Sequence, residues 1–279
     1  MTQSTLTTSS VFGHSGEEIQ CLLRQSRLYN PCTQRLLEQA GITAGMKVLD
    51  VGSGGGDVTF LAGELVGPSG MVVGVEHDLA LLEMARARAC AAGLTQVSFV
   101  AGDLGDVALA RDFDAVIGRN ILLYLTNPVA RLRIGVQHLR PGGIVAFQEF
   151  DFSVIERLLA AEGAPAFSQQ VVRWLSAGFH RVGAPVQMGT QLSAAFVEAG
   201  LPFPQMRLGS LVGTGPDWAG YDLLAEMLCI ILHKQVEYGI VQAEEVDIDR
   251  WSERLRAEVI QQRLFIASSI LVGAWTRVG

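Results

Sequence analysis

The feature that most constrains this chain is a glycine-rich turn placed directly after an apolar segment. Residues 47–51 read as a buried strand, residues 52–56 contain four glycines, and residues 58–65 carry a helical pattern. A strand, a tight glycine turn and a helix bring the backbone close to a bound ligand, because glycine has no Cβ to collide with it. One glycine would be enough for a turn without a ligand. Asp57 is expected to cap the following helix, since its carboxylate can accept from the first-turn amides.

The spacing of the glycines distinguishes between two nucleotide-like ligands. The dinucleotide fingerprint needs a third glycine three places after the second, and that place holds Asp57. An acid and glycines instead alternate at Asp50, Gly52, Gly54 and Gly56. This pattern resembles the first motif of the class I S-adenosylmethionine (SAM)-dependent methyltransferases, of the small-molecule type that includes UbiE/MenG-like proteins. A pyrophosphate is drawn to a free helix N-terminus, whereas an acid at the strand end suits the ammonium and sulfonium of SAM.

Four further segments match this family in the expected order, and together the matches cover about residues 45–150. They are a second strand ending in Glu76, a third strand followed by Gly102-Asp103, a fourth strand ending at Arg119-Asn120, and the turn at residues 139–143 into a fifth strand. The resemblance implies that Glu76 accepts from the ribose hydroxyls. It also implies that Asp103 and the next backbone amide recognise adenine.

The cofactor site implied by the resemblance is therefore spread over several strand ends. Its expected members are Asp50, Gly52, Ser53, Gly54 and Gly56 at the methionine end, Glu76 and His77 at the ribose and adenine side, Asp103 and Leu104 at the adenine, and Arg119 and Tyr29. Tyr29 is expected either to form a wall of this pocket or to pack in the core. Asp78 is expected to cap the helix that follows it.

Alternating strands and helices predict an α/β fold with a Rossmann-like, seven-stranded, mostly parallel sheet flanked by helices. The resemblance implies the strand order 3-2-1-4-5-7-6, with strand 7 antiparallel. The predicted divisions are a disordered tail (1–12), two N-terminal helices over the cofactor pocket (13–44), a SAM-binding core (45–150), a cap insert (151–190), and the C-terminal part of the sheet (191–279) with a helical insert (216–265). The inserts are expected to cover the ligand crevice. A homodimer surface is the alternative, and the two roles are compatible.

Charge and composition narrow the range of partners. The net charge of −7 and the absence of a basic run argue against a nucleic-acid partner. Four scattered cysteines without a C-x-x-C motif favour a reduced, cytoplasmic protein with no metal site. The most apolar segments, residues 223–232 and 266–274, are too short to span a bilayer.

The catalytic group is the hardest feature to predict, because methyl transfer depends mainly on positioning and on excluding water. A hydroxyl acceptor usually needs a general base, and the candidates are His180, His233 and Glu149. A histidine on an apolar helix is more often a packing residue. The expected substrate contacts are Asn120, Glu149, Trp218 and Tyr221, although a salt bridge between Arg119 and Glu149 is the favoured alternative for those two groups.

These patterns predict a SAM-dependent methyltransferase that produces S-adenosylhomocysteine. Its acceptor is expected to be a small, largely apolar metabolite of secondary or quinone metabolism, methylated on oxygen or carbon. The alternatives are a quinol C-methyltransferase, and a SAM-bound cyclase or scaffold protein that transfers no methyl group. An NAD oxidoreductase is disfavoured because Asp57 breaks the dinucleotide fingerprint.

Overall fold

The computed structural model describes residues 16–154, 169–170, 173–174, 176–177, 180, 186–218, 220–222, 224–225, 236, 239, 250–267 and 270–279. Its helices are α1 (Gly16–Ala40), α2 (Asp57–Val66), α3 (Leu79–Ala91), α4 (Pro128–Val136), α5 (Met188–Glu198) and α6 (Trp251–Gln262), with a 3-10 turn at Leu122–Tyr124. Its strands are β1 (Lys47–Val51), β2 (Met71–Glu76), β3 (Val97–Ala101), β4 (Phe113–Arg119), β5 (Leu139–Asp151), β6 (Gln205–Gly209), β7 (Val212–Gly213), β8 (Ile266–Ala267) and β9 (Ile270–Arg277).

Seven of these strands form one sheet in the order β3-β2-β1-β4-β5-β9-β6. Neighbours among β1 to β5 run parallel, whereas β9 is antiparallel to both β5 and β6. Because β9 is the seventh strand of this sheet along the chain, the predicted order 3-2-1-4-5-7-6 and the antiparallel seventh strand are confirmed. The short strands β7 and β8 form a separate pair, which the sequence pattern did not predict.

Both faces of the sheet are buried. Neighbouring residues of a strand point to opposite sides, and since both are apolar here, each face packs in a hydrophobic core. Along β1, Val48 belongs to the core on one face, and Leu49 belongs to the core on the other. The same alternation occurs in β5, where Ile144 and Val145 lie in different cores. Such continuous apolar strands are typical of a parallel sheet covered by helices on each side. The polar side chains at the strand ends are therefore set on a rigid frame.

The N-terminal segment forms the single helix α1 instead of the predicted two helices, and Pro31 lies inside it. Side chains of α1 are described for Ser26 and from Leu28 onward. Leu36 and Leu37 are almost fully buried, and Leu36 packs against Gly273 of β9, where a Cβ would come within 2.6 Å of it. This packing holds the helix over the sheet and outweighs the lost amide and the ring clash of an internal proline.

Two predicted helix caps have different outcomes. Asp78 caps α3 as predicted, and its carboxylate accepts from the amides of Ala80 and Leu81. The prediction for α2 was wrong, because Gly56 is the cap residue, with a φ of 89°. Asp57 is instead the first residue of the helix, and its carboxylate accepts from Arg88 of α3 at 2.8 Å. The left-handed backbone that ends the glycine turn favours glycine at the cap position.

Several sequence-based expectations lie wholly or mainly outside the described residues. They are the tail at 1–12, most of the cap insert at 151–190, much of the insert at 216–265, and His233. In the part of the chain that the structure describes, no helix is both long enough and apolar enough to cross a membrane.

Candidate active site

The candidate site lies at the carboxyl ends of β1, β2 and β4, and its floor is the glycine turn after β1. The amides of Gly52 and Ser53 both donate to the carbonyl of Val75, at 2.9 and 3.0 Å. The amide of Gly54 donates to Oε2 of Glu76 at 2.8 Å. Three hydrogen bonds therefore attach the turn to the end of β2, so that the backbone is fixed in place before any ligand binds.

The glycines of this turn have different functions. Gly52, Gly54 and Gly56 all have positive φ angles, of 68°, 52° and 89°. A Cβ on Gly52 would meet Ile121, and one on Gly56 would meet Phe60. A Cβ on Gly54 would meet no atom within 4 Å. Gly54 is therefore the position where the backbone faces open space that a ligand could fill, whereas the other two glycines permit close packing.

Glu76 is a buried carboxylate held mainly by backbone amides. Its Oε1 accepts from the amides of His77 and Asp78, at 2.8 and 2.9 Å, and its Oε2 accepts from Gly54. Burial opposes its ionisation, but the hydrogen bonds from the side chain of His77 and from the amides of Asp78 and Gly54 outweigh burial and lower its pKa. Since a carboxylate oxygen has about two acceptor sites, Oε2 keeps one site for a ligand hydroxyl.

His77 follows Glu76 directly in the chain and is about half exposed; its place on the adenine side stays a prediction. Its Nδ1 is 3.0 Å from Oε1 of Glu76, and this contact raises the pKa of the imidazole. Leu104 is buried in the core, so only its main chain is available to a ligand. Asp103 is bound through both carboxylate oxygens by Arg131 of α4, at 2.6 and 2.7 Å. This arginine holds the pKa of Asp103 below its usual value.

Asp50 is fully buried at the end of β1. Its Oδ2 accepts from the hydroxyl of Thr59 on α2 at 2.6 Å, while its Oδ1 has no hydrogen-bond partner among the described residues. Burial raises the pKa of Asp50 to about 7. The hydroxyl of Ser53 is likewise buried without a partner in the described part of the chain. Unpaired buried polar atoms are uncommon in folded proteins, so these two mark a polar floor beneath the site, where a positive charge bound nearby would be stabilised.

Arg119 at the end of β4 points toward α1. Its Nη1 donates to Oδ1 of Asn30 at 3.0 Å and to Oγ1 of Thr33 at 2.9 Å. Burial lowers its pKa, and the charges of Asp57 and Asp50 oppose that shift. No carboxylate of the described residues forms an ion pair with this guanidinium. The favoured salt bridge between Arg119 and Glu149 was therefore wrong, because α1 supplies neutral partners instead.

Glu149 does not face the mouth of the site, where it was expected. Its side chain is fully buried, and its two oxygens accept from the amides of Ile121, Leu122 and Leu123 at 3.0–3.2 Å. Burial raises its pKa to about 8, against the effect of these amides. The carboxyl group thus fixes the turn after β4, so that in this arrangement neither a proton transfer nor a substrate contact is open to it.

Asn120 and Asp151, the other polar residues at the ends of β4 and β5, also stabilise the frame. Asn120 has a φ of 53°, and its side-chain oxygen accepts from the amide of Phe150 at 3.0 Å. Asp151 is fully buried and accepts from the amide of Thr190 in α5 at 2.6 Å. These contacts join neighbouring elements. Asn120 remains a substrate-contact candidate only through its amide nitrogen.

Of the predicted aromatic and histidine candidates, Tyr29 packs at the carboxyl end of β5, whereas Trp218 and Tyr221 pack against each other. Tyr29 is buried on α1 and packs edge-on against Phe150, with ring centroids 5.0 Å apart. Tyr221 is fully buried, packs against Trp218 and donates its hydroxyl to the carbonyl of Gly215 at 3.0 Å. Its ring therefore packs in the core in this conformation and cannot stack on a substrate. His180 is exposed.

Four residues of this region were missed by the sequence analysis. They are Asn30 and Thr33 on α1, Thr59 on α2 and Arg131 on α4. Thr59 could have been found, because it lies two residues into the helix after the glycine turn and can reach back to the preceding strand. The other three come from helices whose rotation about their own axes is decided by packing, for which the sequence carries no local signal.

The sequence of this chain is similar to those of several methyltransferases. A family model described as a methyltransferase domain matches residues 42–179. The nocamycin O-methyltransferase of Saccharothrix syringae is 32% identical over 187 residues, which are 61% of this chain and 66% of that protein. The ubiquinone/menaquinone biosynthesis C-methyltransferase UbiE of Pseudomonas paraeruginosa is 32% identical over 134 residues, 47% of this chain and 52% of that protein. The matches thus span between about half and two thirds of these relatives.

A solved structure shares the fold. The SAM-dependent methyltransferase from Aquifex aeolicus superposes with a TM-score of 0.51 and 19% identity, and the match covers 72% of this chain and 93% of that one. At this level of identity the likeness concerns the fold alone.

Proposed function

We propose that this chain, which belongs to the class I SAM-dependent methyltransferase family, transfers a methyl group from SAM to an oxygen or carbon atom of a small, largely apolar metabolite. The observation that carries the proposal is the fixed turn at Gly54. There the backbone faces open space, and the amide holds the buried carboxylate of Glu76. A site for a nucleoside next to a strand end needs this combination of a bare backbone and an adjacent acceptor.

The polar groups around the turn fit the two ends of SAM. Oε2 of Glu76 has an acceptor site for a ribose hydroxyl. Arg119 is a partly buried cation whose hydrogen-bond partners, Asn30 and Thr33, are neutral, so its remaining N–H groups suit the methionine carboxylate. Asp50 has no exposed surface and would act through its charge on the ammonium, without direct contact. SAM, when bound, supplies a methyl group on a positively charged sulfur.

The chain's own contribution to transfer is to position the acceptor and to keep water out. Ile121 packs against Gly52 and Gly118, and Glu149 holds the amides of the same turn. Ile121 therefore forms an apolar wall beside the glycine turn. Such a wall suits an acceptor that binds through apolar contacts. Holding two reactants in line can supply a large part of the rate enhancement without a general base.

Two other functions remain as alternatives. The similarity to UbiE supports a quinol C-methyltransferase, in which the acceptor carbon is activated by its own ring and needs little basic assistance. A SAM-bound protein that transfers no methyl group is supported by the burial of Glu149, since none of the described candidates is a base placed at the wall beside the glycine turn.

Calorimetry with S-adenosylhomocysteine and with NAD tests the proposal. We expect S-adenosylhomocysteine to bind and NAD to bind far more weakly. The variant Glu76→Ala should weaken binding of S-adenosylhomocysteine about tenfold to a hundredfold, the range for a lost hydrogen bond to a charged group. Glu83→Ala is the matched control, because Glu83 lies on the exposed face of α3 and, among the described residues, pairs with Arg86 alone.

Turnover then separates the alternatives. Wild-type protein is incubated with SAM and with phenolic or quinol acceptors, and the products are identified by mass and by the position of the new methyl group. A methyl ether supports O-transfer, and a ring methyl supports the quinol alternative. Product formation without consumption of SAM, or failure of the wild type to bind S-adenosylhomocysteine, would overturn the proposal.

A further inference from the structure

Arg131 and Asp103 form a two-pronged ion pair at the edge of the candidate cofactor site. Nη1 of Arg131 is 2.6 Å from Oδ1 of Asp103, and Nη2 is 2.7 Å from Oδ2. Both side chains are largely buried, at 13% and 18% exposed. A planar guanidinium that meets both carboxylate oxygens fixes the plane as well as the place of the carboxylate. Asp103 therefore does not sample the rotamers of an ordinary loop aspartate.

The pair lies beside the residues proposed to hold the ribose. Gly102, which precedes Asp103, donates its amide to the carbonyl of Glu76 at 2.9 Å. The carboxyl end of β3 is thereby joined to that of β2. His77 lies close enough for its charge to act on Asp103. The base of a nucleoside whose ribose is held at Glu76 would reach this corner.

Only one acceptor site of the Asp103 carboxylate is left for such a base. Oδ1 accepts from Arg131 and also from the amide of Gly105 at 2.9 Å, which uses both of its lone pairs. Oδ2 accepts from Arg131 alone among the described residues. The second lone pair of Oδ2 can therefore take one hydrogen, such as that of an exocyclic amino group.

We infer that Arg131 is a positioning residue that sets the purine specificity of the cofactor site, by fixing Asp103 so that Oδ2 accepts from the 6-amino group of adenine. This inference rests on the proposed function and adds to it a residue on α4. A 6-oxo purine places a carbonyl oxygen where the amino group would donate, and the fixed carboxylate repels it. Without Arg131, Asp103 can rotate away, and the two purines are no longer distinguished.

The test measures discrimination between two nucleosides. Calorimetry gives the dissociation constants of S-adenosylhomocysteine and of S-inosylhomocysteine, its 6-oxo analogue, for wild type, Arg131→Met, Asp103→Asn and the double variant. We expect wild type to prefer the adenosyl compound about tenfold to a hundredfold. Arg131→Met should lose most of this preference, and the double variant should be no worse than Asp103→Asn, because Arg131 acts through Asp103.

Arg133→Met is the matched control, since Arg133 lies on the same helix but donates to the carbonyl of Glu198; its preference should equal that of wild type. Arg131→Lys gives a second readout if Arg131→Met does not fold. A lysine keeps the charge but not the two-pronged geometry, so an intermediate preference is expected. An unchanged preference in both Arg131 variants, or tighter adenosyl binding in Arg131→Met, would overturn the inference while leaving the proposed function intact. Wild type that binds neither nucleoside overturns both.

Discussion

The buried carboxyl group of Asp50 lies at the end of β1, directly before the glycine turn, where it can interact with the charge of a bound ligand. It is fully buried, one of its oxygens has no partner among the described residues, and its pKa is raised to about 7 by burial. A cationic group bound nearby favours the ionised form, so binding and ionisation are linked. Near neutral pH, ligand affinity should therefore depend on the protonation of this one residue.

We predict that the affinity for S-adenosylhomocysteine rises severalfold from pH 6 to pH 7, because Asp50 ionises around pH 7 while the ligand ammonium, with a pKa of about 8, is still largely charged. The variant Asp50→Asn keeps an acceptor for Thr59 but cannot ionise, so this rise should be largely absent from it. Calorimetry at pH 6 and pH 7 measures both proteins. A rise of equal size in Asp50→Asn would assign the effect to another group, of which His77 beside Glu76 is the first candidate.

At the residue scale, the sequence predicted where a side chain lies better than it predicted what that side chain does. Glu76 and Asp78 were found because a strand end and a helix start fix where their side chains point. Glu149 was misjudged, because its place at the end of β5 says nothing about the turn at 121–123 that folds over it. The partners of Arg119 were missed for a related reason, since Asn30 and Thr33 come from a helix almost 90 residues earlier.

Among the elements, α1 has the contact that the sequence analysis least anticipated. The hydroxyl of Thr33 accepts from Arg119 at 2.9 Å and donates to Oε1 of Gln148 at 2.7 Å. One side chain of the helix thus bonds to the ends of both β4 and β5. In this way the helix that covers the sheet also orients the cation proposed to bind the methionine carboxylate.

Replacing Thr33 by valine should lower the free energy of unfolding by about 1–3 kcal/mol, because Arg119 and Gln148 each lose a buried partner. The affinity for S-adenosylhomocysteine should fall as well. Urea unfolding and calorimetry provide the two measurements. Gln34→Ala is the control, since Gln34 lies on the exposed face of the same helix and its side chain bonds to Glu38 alone within the described part of the chain; its effect should stay within about 0.5 kcal/mol. Equal losses in both variants would contradict a specific role for Thr33.

Most elements were predictable where a local signal is strong, as in the continuous apolar runs of β1 and β2 and the helix cap formed by Asp78 before α3. The single helix α1 was not, because Pro31 is normally read as a helix start, and only the packing of Leu36 on Gly273 shows why the helix continues through it. The two-residue strands β7 and β8 are too short to give a periodic signal.

Stability is a property of the whole molecule, and buried carboxyl groups give it an unusual dependence on pH. Burial raises the pKa of Glu149 from 4.5 to about 8. Above pH 4.5 the unfolded chain loses this proton while the folded chain retains it. The contribution of Glu149 to stability is therefore complete only below pH 4.5. The contribution is then lost as the pH rises toward 8. Asp50 acts in the same direction between 3.8 and about 7.

We predict that the free energy of unfolding falls from pH 5 to pH 8, with a contribution from Glu149 of about 1.4 kcal/mol per pH unit. In Glu149→Gln this slope should be shallower by about that amount, while the variant is less stable at pH 5 because one amide partner is lost. Urea unfolding at four pH values measures the slope. The exposed replacement Glu83→Gln should leave it unchanged. A wild-type stability that rises over this range would contradict the prediction.

The strand order of the whole sheet was predictable because five motifs in sequence identify a known arrangement. That the inserts cover the strand ends stays a prediction, because most of their residues lie outside the part of the chain that the structure describes.

The position of β9 has a consequence for how the molecule reaches its native state. β9 lies between β5 and β6, and β6 has no other partner strand in the described sheet. Contacts between β5 and β9 join residues more than 100 positions apart, from Ile144 paired with Arg277 to Asp151 paired with Ile270. Such non-local contacts form late, because a long loop must close before they are gained. On the ribosome, β1 to β5 can assemble as they emerge, whereas β6 must wait with an unpaired edge until β9 has been synthesised.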